Sequence, residues 1–348
     1  MKRSRIALFI ICLLLVTPIF SYGKIISHDY YIETVDPGIK VHLREVVSTK
    51  TKQFSKKNVI LFVHGSTTPG PVVFDLPVKG YSWAKFMANH GFASYIIEIR
   101  GYGGSTRPPE MEEPPSKHRP ICRAMDAIKD IDAAVTFIME KRGVKKVSLL
   151  GWSWGTITTG LYSSLFPDKV NKLILYAPVY KISPRISAIF SDKSFKYEFT
   201  KKIGAYTYLS AKKIQSGWDK QIAVEDKSLW REPKVLKAWL AGCLGSDPTS
   251  NTRTPPSYRN PMGCYNDAWY TATIARSYDA AKITAPVLIV RGANDGSVTR
   301  EDSFANMRAL TNAKYKRFVE FDDATHFMAL EKKHRHLWNE VLHFLNNG

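Results

Sequence analysis

The sequence predicts an α/β fold: a mostly parallel sheet flanked by helices, carrying a mainly helical insertion. Continuous apolar runs such as residues 58–63 (NVILFV) and 147–150 have the composition of strands buried on both faces. Helix-length segments separate these runs, and strands alternating with helices form parallel sheets through right-handed crossovers. The rhythm breaks once, over residues 179–282, a stretch longer than a single crossover requires.

Residues 30–34 and 40–47 alternate polar and apolar side chains around Asp36-Pro37-Gly38, a strong turn signal, and predict a half-exposed antiparallel hairpin. The strand at 58–63 ends in His64-Gly65-Ser66-Thr67-Thr68-Pro69-Gly70. A helix over 83–90 and a strand over 93–99 follow, then the Gly-rich turn Arg100-Gly101-Tyr102-Gly103-Gly104-Ser105. Residues 123–141 space Ala, Ile and Val as a helix does. Further strands are expected at 172–177, 287–291 and 315–321, with helices at 300–311 and 333–345. The insertion has a coarse helical pattern, contains Trp218, Trp230, Trp239 and Trp269, and ends in a loop at 246–261. Placed between two sheet strands, it is expected to cap the strand ends, where open parallel sheets bind ligands. Taken singly, its tryptophans read as the core of that insertion.

At 348 residues, 44% hydrophobic and 23% charged, the chain has the composition of a folded globular protein. Its balance is basic, 50 Lys plus Arg against 31 Asp plus Glu, a net +19. The basic residues are scattered singly and in pairs such as Lys56-Lys57 and Lys212-Lys213, without a basic helix stripe or a nucleic-acid motif, so a nucleic-acid partner is not expected. The N-terminus has the three parts of a secretory signal: Lys2, Arg3 and Arg5, an apolar run over 6–16, and Ser21-Tyr22-Gly23 before an expected cut after Gly23. The run is shorter than the roughly 20 residues a spanning helix needs, so no stable membrane span is expected after cleavage. The expected organisation is therefore a signal peptide (1–23), a core domain (24–178 and 283–348) and a cap (179–282), secreted or periplasmic. Cys122, Cys243 and Cys264 remain after cleavage. Cys243 and Cys264 flank the 246–261 loop and read equally as a disulfide or as two thiols, while Cys122 reads as structural.

The chemistry centres on Gly151-Trp152-Ser153-Trp154-Gly155, a G-x-S-x-G pattern between an apolar strand and a helix. A sharp turn there projects the Ser153 hydroxyl, and the helix start offers free N–H groups to a developing anion. A serine is a weak nucleophile until an imidazole accepts its proton and a carboxylate holds that imidazole in the right tautomer. Asp295 follows the strand at 287–291 in Gly292-Ala293-Asn294-Asp295-Gly296, and His326 follows the last strand in Asp322-Asp323-Ala324-Thr325-His326. Each is unremarkable alone; together they stand at the ends of three predicted strands. Asp322 and Asp323 are weaker candidates for the acid because they share the histidine's own loop.

In this order of Ser153, Asp295 and His326 the chain resembles the α/β-hydrolases, over nearly everything after the signal. The resemblance implies an α/β-hydrolase fold, a Ser-His-Asp triad and an oxyanion hole made by the backbone N–H groups of Trp154 and Ser66. It places His64, Gly65 and Trp152 around the substrate pocket, with His64 stabilising its loop rather than transferring protons, and reads the 100–105 turn as structural or pocket-shaping. The Ser-Trp-Gly sequence and the R-G-x-G-x-S turn are similar to those of proline iminopeptidases. Those enzymes usually carry His-Gly-Gly-Pro-Gly where this chain has His64-Gly65-Ser66-Thr67-Thr68, and Asp-Gln where it has Ile97-Glu98-Ile99. The expected activity is that of a serine hydrolase on a carboxylic ester or related small acyl compound, without metal or organic cofactor. One alternative is an aminopeptidase using the same triad, with Glu225, Asp226 or Glu232 holding the substrate's ammonium on a short peptide. Another is a non-catalytic binding protein on the same scaffold. The sequence leaves the oligomeric state open.

Overall fold

The computed structural model describes residues 23–181 and 203–348. The expected export signal up to Tyr22, and residues 182–202 of the expected cap, lie outside the described residues. The chain opens with the antiparallel hairpin β1 (Ile25–Glu33) and β2 (Lys40–Ser48). β3 (Val59–Val63), α1 (Gly70–Phe74), α2 (Trp83–Asn89), β4 (Ala93–Glu98), α3 (Ala124–Arg142), β5 (Val147–Trp152), α4 (Trp154–Leu165) and β6 (Val170–Tyr176) follow. The insertion contributes β7 (Tyr206–Ser210), α5 (Ala211–Asp219), α6 (Pro233–Gly245), β8 (Ser257–Pro261) and α7 (Gly263–Thr273). The chain then completes its sheet with β9 (Val287–Gly292), α8 (Arg300–Ala309), β10 (Lys316–Phe321) and α9 (His334–Asn347).

Eight strands form one sheet in the order β1-β2-β4-β3-β5-β6-β9-β10. Strands β4 to β10 of that sheet run parallel, and β2 joins β4 antiparallel. The apolar runs behave as strands covered on both sides. Val59, Leu61 and Val63 of β3 join the apolar core beneath α3 and α4, whereas Ile60 and Phe62 join the opposite core with Trp83 of α2 and Trp338 of α9. The chain leaves β3 toward β4 on one side, then returns to build β5 on the other. The loops after β3 and β5 therefore part to opposite faces, and a crevice opens beyond the carboxyl ends of these adjacent strands. The residues at 64–69 and at 153 lie there because of strand order.

The insertion differs from the expected helix-then-loop. Residues 257–261, expected within a loop, form β8 and pair antiparallel with β7. Local pattern did not announce this strand because long-range contacts hold it. The Tyr258 hydroxyl donates to the Thr67 carbonyl (2.6 Å), and Arg259 is bound to the buried Asp247 carboxylate. Trp218 and Trp239 are fully buried, yet they belong to the same apolar core as Trp83, Phe62 and Trp338 rather than to a separate one. Cys122, Cys243 and Cys264 are free, buried thiols, so the disulfide alternative is not realised. Burial pushes the Cys243 and Cys264 thiols up to about 12. Among the described residues no helix is long and apolar enough to cross a membrane.

The Gly-rich turn at 100–105 both braces the fold and, through Tyr102, holds the Ser66 carbonyl of the loop after β3. Arg100 donates from Nε and Nη2 to Asp130 of α3 (2.9 and 2.6 Å) and from Nη1 to Asp36 of the β1–β2 turn (2.6 Å). It thereby ties the end of β4 to a helix and to the edge hairpin. The Asp130 side chain is fully buried and that of Arg100 nearly so, which makes the pair costly to break from one side. Asp130→Ala should lower the stability measured by urea unfolding by about 3 kcal/mol, because it leaves Nε and Nη2 of a buried guanidinium unpaired while Asp36 still holds Nη1. A loss below about 1 kcal/mol, the size of a surface pair, would contradict this reading.

Candidate active site

β5 ends at Trp152 and α4 begins at Trp154, so one residue, Ser153, makes the whole turn from strand to helix. It does so with φ 57° and ψ −121°, a strained conformation for a residue carrying a Cβ. Its N–H donates to the Tyr176 carbonyl of β6 (2.9 Å), and its carbonyl accepts from the N–H and the hydroxyl of Thr156 (2.8 and 2.5 Å). The two glycines of the pattern are required by contact. A Cβ on Gly151 would lie 2.2 Å from the Gly155 carbonyl oxygen, and one on Gly155 would lie 2.5 Å from that of Val63. Only glycine lets α4 start this close to β3 and leaves the Ser153 side chain, half-buried, at the crevice.

The structure brings His326 and Asp295 together. Nδ1 of His326 lies 2.8 Å from Oδ2 of Asp295, and both side chains are shielded from solvent. The other oxygen, Oδ1, accepts from the N–H groups of Ser297 and Val298 (2.8 and 2.9 Å). With Nδ1–H donating to the carboxylate, the lone pair of His326 is left on Nε2, and His326 lines the same cavity as Ser153. The His326 carbonyl is fixed by two donors, the Trp152 indole (3.0 Å) and the Tyr176 hydroxyl (2.8 Å). Its N–H donates to Oε1 of Gln221 (3.1 Å). Asp322 and Asp323, the weaker candidates, do not line the cavity.

The loop after β3 is held through its carbonyls. His64 Nδ1–H donates to the Gly65 carbonyl (2.7 Å), the Tyr102 hydroxyl to that of Ser66 (2.8 Å), and the Tyr258 hydroxyl to that of Thr67 (2.6 Å). Gly65, Ser66 and Thr67 line the crevice, as Trp152 and Trp154 do. His64 does not. It is fully buried, its Nε2 accepts from the Ile99 N–H (3.1 Å), and burial holds it below the ordinary histidine value, hence neutral. The expectation of His64 in the pocket is corrected to a loop-holding role, as its hydrogen-bond capacity dictates.

The cavity measures about 290 Å³ and is mainly apolar, with Ile157, Val179, Val298 and Phe327 in its wall and Cys264, Tyr265 and Ala268 contributed by α7 of the insertion. Glu225, Asp226 and Glu232 do not line it. Glu232 instead accepts from the Tyr81 hydroxyl and pairs with Lys234, and Asp226 caps an exposed turn. The carboxylate that does reach the wall is Asp302, which the sequence reading missed. It is taken up by the Thr299 N–H and hydroxyl and by the Lys181 N–H, and Thr299-x-x-Asp302 was legible as a helix-capping box. Also missed was Asp267 of α7, a buried carboxylate that accepts from the Trp154 indole (2.9 Å) and from the Ala124 N–H (2.7 Å). Burial raises its pKa. Nothing local in the sequence marks it, since its partners lie more than a hundred residues away.

A family model described as alpha/beta hydrolase fold matches residues 58–333. The bifunctional epoxide hydrolase 2 of Rattus norvegicus is 27% identical over 180 residues, which is 50% of this chain and 27% of that protein. Epoxide hydrolase 3 of Siraitia grosvenorii is 24% identical over 165 residues, 47% of this chain and 42% of that one. The matched segment thus spans less than half the length of these relatives. Among solved structures, the enol-lactonase from Burkholderia xenovorans superposes with a TM-score of 0.60 at 16% identity, covering 91% of this chain and all of that one. An esterase from Thermogutta terrifontis gives 0.59 at 16% identity, covering 92% and 100%. At such identities these structures speak for the fold alone.

The contact argument for the turn is open to test. Gly155→Ala should destabilise the protein by about 1–3 kcal/mol through overpacking against the Val63 carbonyl. It should also depress any reaction at Ser153 by more than that loss explains at temperatures where the variant stays folded. Unchanged thermal unfolding would show that α4 can retreat from β3 and that the glycine is not needed there.

Proposed function

The chain belongs to the alpha/beta hydrolase fold family, and on that premise we propose that it is an exported serine hydrolase cleaving esters or related acyl compounds with a small acyl group. The observation that carries this reading is the opening of Ser153 and the Asp295-held His326 onto one apolar cavity of about 290 Å³. In the proposed reaction Nε2 of His326 takes the Ser153 proton while Oγ forms a bond to the acyl carbon. The tetrahedral oxygen faces the N–H of Trp154, one of the first-turn donors of α4 that has no partner within the helix, and the N–H of Ser66. Collapse expels the alcohol, which leaves with the proton held by His326. Water, deprotonated by the same nitrogen, then attacks the acyl-enzyme, releases the acid and restores Ser153. Asp295 stays a carboxylate throughout and keeps the proton on Nδ1. Every step uses side chains and backbone of this chain.

The size and lining of the cavity favour a short, uncharged acyl group, because a space near 300 Å³ sits at the small end of ligand sites, roughly 300–1,000 Å³. Epoxide opening, the activity in the names of the relatives, suits this site less well. A serine that opened an epoxide would be left as an ether, which water does not cleave, whereas a carboxylate at that position would be left as a hydrolysable ester. The aminopeptidase reading lacks the acids it asks for, since Glu225, Asp226 and Glu232 lie outside the cavity wall and Glu232 and Asp226 are engaged elsewhere. Export rests on the 1–23 sequence pattern.

The test is hydrolysis of p-nitrophenyl esters of increasing acyl length, alongside aminoacyl anilides, by the chain lacking residues 1–23 and by its Ser153→Ala variant. Short acyl esters should turn over best, and the variant should lose about 10⁴-fold or more in kcat/KM. Faster turnover of the anilides would establish the peptidase reading instead. Equal and negligible rates in both proteins would overturn the hydrolase reading.

A further inference from the structure

Gln221 lies in the turn that follows α5, outside the elements that carry the three candidate catalytic residues. Its amide is fully committed. Oε1 accepts from the N–H of Gly296 and from the N–H of His326, both at 3.1 Å. Nε2 donates to the Ser297 hydroxyl and to the Gly217 carbonyl, both at 3.3 Å. The two backbone N–H groups and the Gly217 carbonyl fix which end of the amide is oxygen, so the shared acceptor is not interchangeable. Gly296 and Ser297 directly follow Asp295, so one amide oxygen joins the loop of the acid to the loop of the base. The preceding helix, α5, holds the same loop as well. Trp218 stacks on Phe327 (ring centroids 5.0 Å apart, planes 25° apart), and its indole donates to Glu331 (3.0 Å), which in turn accepts from the N–H and hydroxyl of Thr325. Residues 325, 326 and 327 are therefore each held, directly or through one carboxylate, by residues 218–221 of the insertion.

We propose that Gln221 is a positioning residue that sets the distance between Asp295 and His326, so that the insertion, beyond covering the cavity, completes the catalytic geometry. This rests on the serine hydrolase reading above. Its physical basis is that β9 and β10 carry the acid and base on separate loops, and the Asp295–His326 hydrogen bond must survive while His326 gains and loses a proton. Without a common acceptor, two backbone N–H groups turn to water and the loops move independently. Displacements of about 1 Å in a catalytic group cost up to about a hundredfold in rate.

The near-isosteric pair Gln221→Met and Gln221→Glu tests the acceptor, since both give up the Nε2 donors and only glutamate keeps an oxygen for the Gly296 and His326 N–H groups. With the best ester, Gln221→Met should lower kcat about ten- to a hundredfold with KM within about twofold, and Gln221→Glu should recover most of the rate. A second readout needs neither turnover nor variants. In the unmodified protein the amide protons of Gly296 and His326 should exchange slowly with solvent, although both sit in loops. A third is the low-field proton resonance of the His326 Nδ1–H, which should broaden in Gln221→Met and return in Gln221→Glu. Wild-type kcat in Gln221→Met, free-loop exchange at either amide, or an unaltered resonance would overturn the proposal. If the wild-type protein hydrolyses nothing while exchange and resonance behave as stated, the hydrolase reading fails and the clamp stands.

Discussion

The close approach of α4 to β3 constrains the rest of the molecule. A helix must begin one residue after a central strand, against the backbone carbonyls of the neighbouring strand, and that is possible only where two positions lack a Cβ. The strain at Ser153 follows, because a single residue has to reverse the chain. The surrounding structure over-determines that residue through the Tyr176 carbonyl and through Thr156, whose hydroxyl also accepts from the N–H of Val179. Strand order then supplies the space in front of it, since the loops of β3 and β5 diverge at the crevice. The polar groups around this point are drawn from distant parts of the chain and converge on backbone atoms more than on one another.

Much of this was legible in the sequence, and the reasons can be given residue by residue. The parallel strands read correctly because burial on both faces leaves an unbroken apolar run, as in residues 59–63. Ser153, Asp295 and His326 could be put forward as candidates because each follows a strand within a few residues, so local pattern and topology coincide. Residues 257–261 were hidden because a strand held by Asp247 and by the Thr67 carbonyl has no need of alternation. Asp267 and Gln221 were hidden for a related reason: their partners include backbone N–H groups far along the chain, and a backbone N–H has no sequence signature. His64 illustrates a milder difficulty. Sequence placed it beside the crevice, but only its two hydrogen bonds show that the ring turns inward.

The electrostatics divide between outside and inside. The chain carries a net +19, yet its buried charges are mostly carboxylates matched to donors: Asp130 to Arg100, Glu45 to Arg142 and two tyrosines, Glu331 to Trp218 and Thr325. Burial raises the pKa of Glu331 as it does that of Asp267, which marks these carboxylates as tolerated through hydrogen bonding and not through solvent. The cavity wall, by contrast, is largely apolar.

The shared core of sheet and insertion bears on how a substrate reaches Ser153. Trp218 and Trp239 pack edge to face and both meet Phe327, the residue next to His326, within the apolar core that also holds Phe62 and Trp83. A lid that swung away as a rigid body would have to pull two indoles out of that core and expose a large apolar area, at roughly 25 cal/mol for each Å² uncovered. Traffic through this part of the molecule is therefore confined to smaller movements of side chains and loops at the rim. An entrance bounded by such a core would sort molecules by width and flexibility before any chemistry begins.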